Sequence, residues 1–143
     1  MKVLVADNLS SLGVDILKQE SGVDVDVNTG LPKEELIKII SSYDGLIVRS
    51  ATKVTSDVIE AATNLKVIGR AGIGVDNIDV AAAGKKGIIV MNTPEGNVIT
   101  TAEHAMALML SMSRNIPQAR SMLKDQKTWA PKNLWGKSFT AKH

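Results

Sequence analysis

Cysteine is absent from this 143-residue chain. That excludes a disulfide framework and a thiolate metal site, and it fits a reducing, cytoplasmic setting. Aromatic residues make up only 3% of the chain, so Val, Ile, Leu, Ala and Met must fill any core. No apolar run approaches ~18 residues, which excludes a membrane-spanning helix. The opening Val3-Leu4-Val5-Ala6 stops at Asp7 and is too short for a signal-peptide core. Strong charge of one sign is missing as well: the formal net charge is +2. Its distribution is uneven, with seven Lys or Arg against one acid, Asp125, in residues 114–143, and ten against fourteen before them. Those basic residues are dispersed, so they read as an exposed surface and not as a nucleic-acid stripe.

What the chain does have is a regular alternation. Lys2–Ala6 reads as a buried strand, Leu9–Gln19 as a helix with Leu12, Ile16 and Leu17 in step, and Val23–Val27 as a strand with one face exposed. Pro32 opens a helix whose inner face is Leu36, Ile37, Ile39 and Ile40. Gly45–Val48, Lys66–Gly69 and Ile88–Met91 read as three further strands, separated by helices over about 56–62 and 79–86. Thr55 or Ser56 caps the first of these two helices, and Gly87 ends the second. Strands alternating with helices predict right-handed parallel units. The expected fold class is α/β: a flavodoxin-like doubly wound parallel sheet of about five strands, order 2-1-3-4-5, with helices on both faces. Residues 1–96 form this lobe. Residues 97–143 are read as a long helix reaching about Lys124, opened by a Thr100-x-x-Glu103 capping box, plus an arm without clear periodicity. That helix is apolar almost all round from Ala102 to Met112, so burial on several sides is expected. Its Met106, Met109 and Met112 suggest packing or a subunit interface.

In an open α/β sheet, ligands bind beyond the carboxyl ends of the strands. There the sequence places Asp7-Asn8, Arg49-Ser50, Arg70 with the glycine loop Gly72-Ile73-Gly74, and Asn92-Thr93. Arginine offers a planar fork for carboxylate or phosphate, and glycine lets backbone N–H groups approach an anion. The helix beginning near Ile78 would add its positive end. The competing structural reading pairs Arg49 and Arg70 with Asp7, Asp44 or Asp76. Asp76 and Asn77 are read as bracing the loop and capping the next helix. A dinucleotide fingerprint is not supported, because Asn77 stands where its third glycine belongs and Glu95 lies past the strand tip. His104 reads as a packed or capping histidine and His143 as a frayed terminus. Neither a metal site nor a Ser-His-acid triad is signalled, and no catalytic residue is assigned.

Three blocks then carry a resemblance: Arg49-Ser50-Ala51-Thr52-Lys53-Val54-Thr55, Leu65 through Asp79, and Asn92-Thr93-Pro94-Glu95-Gly96-Asn97. With Ala102-Glu103-His104, they closely resemble the D-2-hydroxyacid dehydrogenases over residues 1 to about 129. The arginine of Arg70-Ala71-Gly72 favours the phosphoglycerate branch over the glyoxylate or formate branches. The resemblance implies an NAD-dependent oxidoreductase acting on 3-phosphoglycerate, in the first step of serine biosynthesis. It implies that Arg49, Ser50, Arg70, Gly72, Ile73, Gly74 and Asn97 hold a small anionic substrate, and that Ile73 and Val98 lie near the nicotinamide end of NAD. It also implies a homodimer through the helix over 100–124. The family's histidine, glutamate and further arginine come from the second half of its chain.

Two departures qualify the resemblance. Ala130-Pro131 follow Trp129 where an acidic and then a basic residue are usual. Gly136-Lys137 leads into Ser138-Phe139-Thr140-Ala141-Lys142-His143, not into a strand and its fingerprint. The expectation is therefore an N-terminal fragment, ending in a truncated nucleotide-binding domain and inactive alone. The alternative is a non-enzymatic anion-binding or dimerisation module, with neither nucleic acid nor membrane as partner.

Overall fold

The computed structural model describes residues 1–125, 127, 128, 131–134 and 136. They fall into two compact units, Met1–Gly96 and Asn97–His143.

The first unit is a five-stranded parallel sheet of order β2-β1-β3-β4-β5. Its strands are β1 (Lys2–Val5), β2 (Asp24–Val27), β3 (Gly45–Val48), β4 (Val67–Arg70) and β5 (Ile89–Asn92). Each strand is four residues long, short enough that its place in the sheet rests on the residues flanking the ladder as well. The register aligns Val48 with Arg70 and Arg70 with Asn92, so three strands finish level at one end. Helices α1 (Ser11–Gln19), α2 (Lys33–Ile39), α3 (Ser56–Ala61) and α4 (Val80–Lys85) connect them.

The crossovers through α2, α3 and α4 all run the same way along the sheet, and right-handedness puts them on one face. Leu4, Leu46, Val48 and Ile68 point to that face and meet Leu36, Val58 and Ala83 in one buried cluster. The crossover through α1 runs the other way, which places it on the opposite face, above Val3 and Val5. Cover there is thin: Leu12 and Ile16 of α1 are exposed, and Ile89 and Met91 on the edge strand β5 remain 63% and 57% exposed. The expectation of helices over both faces is thus met fully on one face and partly on the other.

Local chemistry explains most of the boundaries. Ser10 caps α1 by accepting from the Gly13 N–H. Pro32 sits just before α2 at its N-cap and not inside it. Gly87 follows α4 at a φ of 73°, where an L side chain would be strained.

The second unit corrects four expectations. The long helix is two: α5 (Val98–Ser113) and α6 (Ile116–Lys124), separated by Asn115 at a φ of 52°. Pro117 accounts for the break, since its ring clashes with a preceding helical turn and it has no N–H for the Ser113 carbonyl. The Thr100–Glu103 capping box does not form. The helix already begins at Val98, and the Thr100 hydroxyl donates to the Asn97 carbonyl. No residue of α5 is buried: Met106 is 59% and Met112 73% exposed, and Met109 is exposed with them. His104 is likewise exposed rather than packed. A short 3-10 turn, Pro131–Leu134, follows α6. Residues Trp129, Ala130 and Lys137 to His143 lie outside the described residues, and with them the departures noted there.

Leu46 is fully buried at the centre of the main cluster. Leu46→Ala should lower unfolding free energy by about 2–5 kcal/mol in urea titration of the 143-residue chain. A loss well under 1 kcal/mol would contradict this placement of the core.

Candidate functional site

The carboxyl end of the sheet is held mainly by side chains that bond backbone. Asp7, directly after β1, is 4% exposed. Its carboxylate accepts from the Arg49 N–H at 2.6 Å, from the Thr52 N–H at 3.1 Å and from the Thr52 hydroxyl at 2.6 Å. Burial pushes the Asp7 carboxyl upward. The Thr52 hydroxyl and the N–H groups of Arg49, Thr52 and Ala51 outweigh that and leave it below the ordinary aspartate range.

Asn77 ties the next pair of loops. Its Nδ2 donates to the carbonyls of Arg49 at 2.8 Å and Thr52 at 2.7 Å. The backbone adds a small parallel bridge between Val54 and Ile78, with Val54 donating to the Asn77 carbonyl and Asp79 to that of Val54. Asn92 ties the last pair, donating from Nδ2 to the Ile73 carbonyl at 2.6 Å, while the Thr93 N–H reaches the Gly72 carbonyl. Loops after β1, β3, β4 and β5 are thereby joined in sequence.

This scaffold displays the two arginines. Arg49 follows β3, is exposed, and donates from Nη1 to the Asn8 carbonyl at 3.1 Å. Ser50 is exposed next to it. Arg70 ends β4, level with Val48. Among the described residues neither guanidinium is in an ion pair. The structural alternative is therefore not what is observed: Asp7 holds the backbone of Arg49, Asp44 pairs with Lys66, and Asp76 folds over Gly74.

The glycines also have a steric role in the loop. A Cβ on Gly72 would collide with the Arg70 guanidinium, and one on Gly74 would come 2.8 Å from Asp76 Oδ1. The Gly72 N–H is spent on the Arg70 carbonyl. Gly72 and Gly74 thus make room for the loop's own charged side chains. The expected helix end contributes nothing here. The following helix starts at Val80, has six residues, and is capped by Asp79 accepting from Ala82 N–H, so Asp79 and not Asp76 or Asn77 is the cap. Two buried atoms of this region, Arg70 Nε and Asn77 Oδ1, have no partner among the described residues.

Arg49, Ser50, Arg70, Gly72, Ile73 and Gly74 therefore share one end of the sheet, with Ile73 40% exposed beside them. Asn97 and Val98 belong to the second unit. Asn97 precedes α5 with no side-chain cap bond, and Val98 is the exposed first residue of that helix. Asp7, Thr52 and Asn92 carry more of the site than sequence reasoning assigned them. The signal available was their position at or shortly after the carboxyl ends of β1, β3 and β5. Among the described residues no cluster of potential metal ligands occurs, and no helix is long and apolar enough to cross a membrane.

Asp7→Asn should cost about 2 kcal/mol at neutral pH, because a neutral amide replaces a carboxylate held by several donors. The native carboxyl is lowered, so its contribution is full above the ordinary pKa of about 3.9 and fades as pH falls through the lower folded value. The gap in urea midpoint between wild type and Asp7→Asn should therefore narrow as pH is taken below the ordinary aspartate range. A gap that stays constant through acid until both proteins unfold would refute the clamp.

The sequence profile of the family described as D-isomer specific 2-hydroxyacid dehydrogenase, catalytic domain, matches residues 3–142. A D-3-phosphoglycerate dehydrogenase from Synechocystis sp. is 53% identical over 135 residues, covering 94% of this chain and 24% of the relative. One from Homo sapiens is 49% identical over 141 residues, covering 99% of this chain and 26% of the relative. The chain thus spans about a quarter of these relatives. Among solved structures, the TT0316 protein of Thermus thermophilus superposes with a TM-score of 0.80 at 34% identity, over 95% of this chain and 45% of that one. The NAD+-bound 3-phosphoglycerate dehydrogenase of Entamoeba histolytica gives 0.69 at 34% identity, over 80% and 39%.

Proposed function

The chain belongs to the D-isomer specific 2-hydroxyacid dehydrogenase family, and on that premise we propose that residues 1–96 are the substrate-gripping lobe of an NAD-dependent oxidoreductase whose substrate is 3-phosphoglycerate. The reaction is hydride transfer between C2 of that D-2-hydroxy acid and NAD, at the entry to serine biosynthesis in the cytoplasm. The observation that carries this reading is the pair of guanidiniums, Arg49 and Arg70, at adjacent strand ends with no acid partner among the described residues. A phosphorylated carboxylate has two anionic ends for two planar forks. Ser50 adds an exposed hydroxyl beside Arg49. Phosphoglycerate dehydrogenases from two distant organisms at 53% and 49% identity support the choice of substrate.

Within the first unit, exposed Ile73 offers apolar contact to the nicotinamide ring of NAD, while the Gly72 N–H is already spent on the Arg70 carbonyl and is not offered to a pyrophosphate. NAD supplies hydride acceptance when bound. The role of this chain is to orient the substrate's anionic ends, and alone it binds that anion without turning it over.

The exposed Met106, Leu108, Met109 and Met112 of α5 favour a second, compatible role as a homodimer surface. Met109→Lys should then shift the chain toward monomer in light scattering at matched concentration. An unchanged mass, or a wild-type monomer, would count against it.

Calorimetry with 3-phosphoglycerate tests the anion grip. Arg70→Ala and Arg49→Ala should each weaken binding roughly tenfold or more, since hydrogen bonds to charged groups contribute about 1.5–3 kcal/mol. Equal affinity in wild type and both variants would remove the basis for the rim.

A further inference from the structure

The same end of the sheet carries a second concavity that the arginine rim does not use. It lies across the ends of β2, β1 and β3, between the segment Gly30–Leu36 and the segment Ala51–Thr55, with Asp7 in its wall. Its volume is about 540 Å³, within the range of small-molecule sites. Its location is also the place where an α/β sheet favours ligands. From β1 the chain moves outward to β2 and then returns across β1 to β3, so the loops leaving β1 and β3 part at the topological switch point.

The lining decides the chemistry. Leu31, Leu36 and Ala51 make an apolar wall, and Lys33 and Lys53 bring two ammonium groups. Acidic groups nearby are already committed. Asp7 accepts from the backbone and the Thr52 hydroxyl. Asp57 accepts from Lys33 and from the Thr55 hydroxyl, and the Lys33 ammonium, followed by that hydroxyl, pulls its carboxyl down to about 2. Lys53 is exposed and in no ion pair among the described residues. The surplus is one ammonium beside an apolar wall. That matches a single carboxylate on an apolar body. It does not match a phosphate dianion, which has no use for the wall and lacks a guanidinium fork here.

We propose that this cleft is a binding site for a small monocarboxylate with an apolar body, such as a branched acyl chain or a single ring. The carboxylate meets Lys53 at the mouth, and the body lies on Leu31, Leu36 and Ala51. The site is distinct from the Arg49–Arg70 rim and does not rest on the identity of the substrate proposed there.

The probe is phenylacetate, titrated into the 15N-labelled 143-residue chain and followed by amide shifts. The expected result is saturable movement at Gly30, Leu31 and residues 51–53. Phenylacetamide, which keeps the ring and loses the charge, should bind about fivefold or more weakly, and Lys53→Met should weaken phenylacetate by a similar factor. Sulfate should move the Gly72 and Ile73 amides instead. Arg70→Ala should leave phenylacetate binding unchanged. Non-saturating or scattered shifts would overturn the proposal, as would equal affinity for phenylacetamide or for Lys53→Met. Loss of phenylacetate binding in Arg70→Ala would also overturn it, by placing the carboxylate on the rim and leaving the rim reading intact.

Discussion

Five segments leave the carboxyl end of the sheet, and those after β1, β3, β4 and β5 are tied to one another beyond the strand ladder that guided them. Asp7 does this for the two central strands. Its buried carboxylate bonds the N–H of Arg49, forty-two positions away, and both the N–H and the hydroxyl of Thr52. A buried charge is tolerated only when its acceptor positions are filled, so the segment 49–52 cannot leave without exposing Asp7 to an unmet cost. Asn77 and Asn92 extend the same logic outward with neutral amides. The result is a row of loops in which side chains satisfy backbone. The guanidiniums, in no ion pair among the described residues, remain available to a ligand.

That division of labour explains the composition of the glycine loop. The Gly72 N–H is spent on the Arg70 carbonyl, and both glycines leave free the volume into which Arg70 and Asp76 fold. A side-chain anion grip and a backbone phosphate cradle have different needs, and Gly-x-Gly alone does not distinguish them. The distinction lies in Asn77. It occupies the third-glycine position of a dinucleotide motif, and its amide is used to bond two carbonyls of the neighbouring loop.

The strand order, four helices of the first unit and the buried face of α2 were legible because apolar runs, turn residues and right-handed crossovers are local or nearly local signals. Strand ends were read within a residue or so, since Lys66–Gly69 became Val67–Arg70. The Asp7 clamp was not legible. It spans more than forty residues, and an aspartate after a strand looks the same whether it binds ligand, metal or backbone. The helix break at Asn115 was legible and missed: Pro117 stands in the sequence, and its effect on a continuous helix is a strong local rule. The Met-rich stretch shows the opposite error. An apolar helix implies that something covers it, but the sequence does not say whether the cover lies in the same chain.

The same reasoning applies to the sheet itself. Parallel strands with apolar residues pointing both ways are built for cover on both faces. Here α2, α3 and α4 close one face around Leu46 and Ile68, while the other has α1 and an edge strand with Ile89 and Met91 open to solvent. The firm side and the thin side meet at the site. Arg49 sits between strands whose buried face is complete, but Asn92 ends the edge strand. Its single side-chain bond to Ile73, with the Thr93 backbone bond beside it, holds β5 to the glycine loop. Local opening follows low burial and few tethers. Arg49, nearer the Asp7 clamp, therefore stands on the more firmly tethered part of the rim, whereas the loop after Arg70 is tied on its outer side to the least-covered strand.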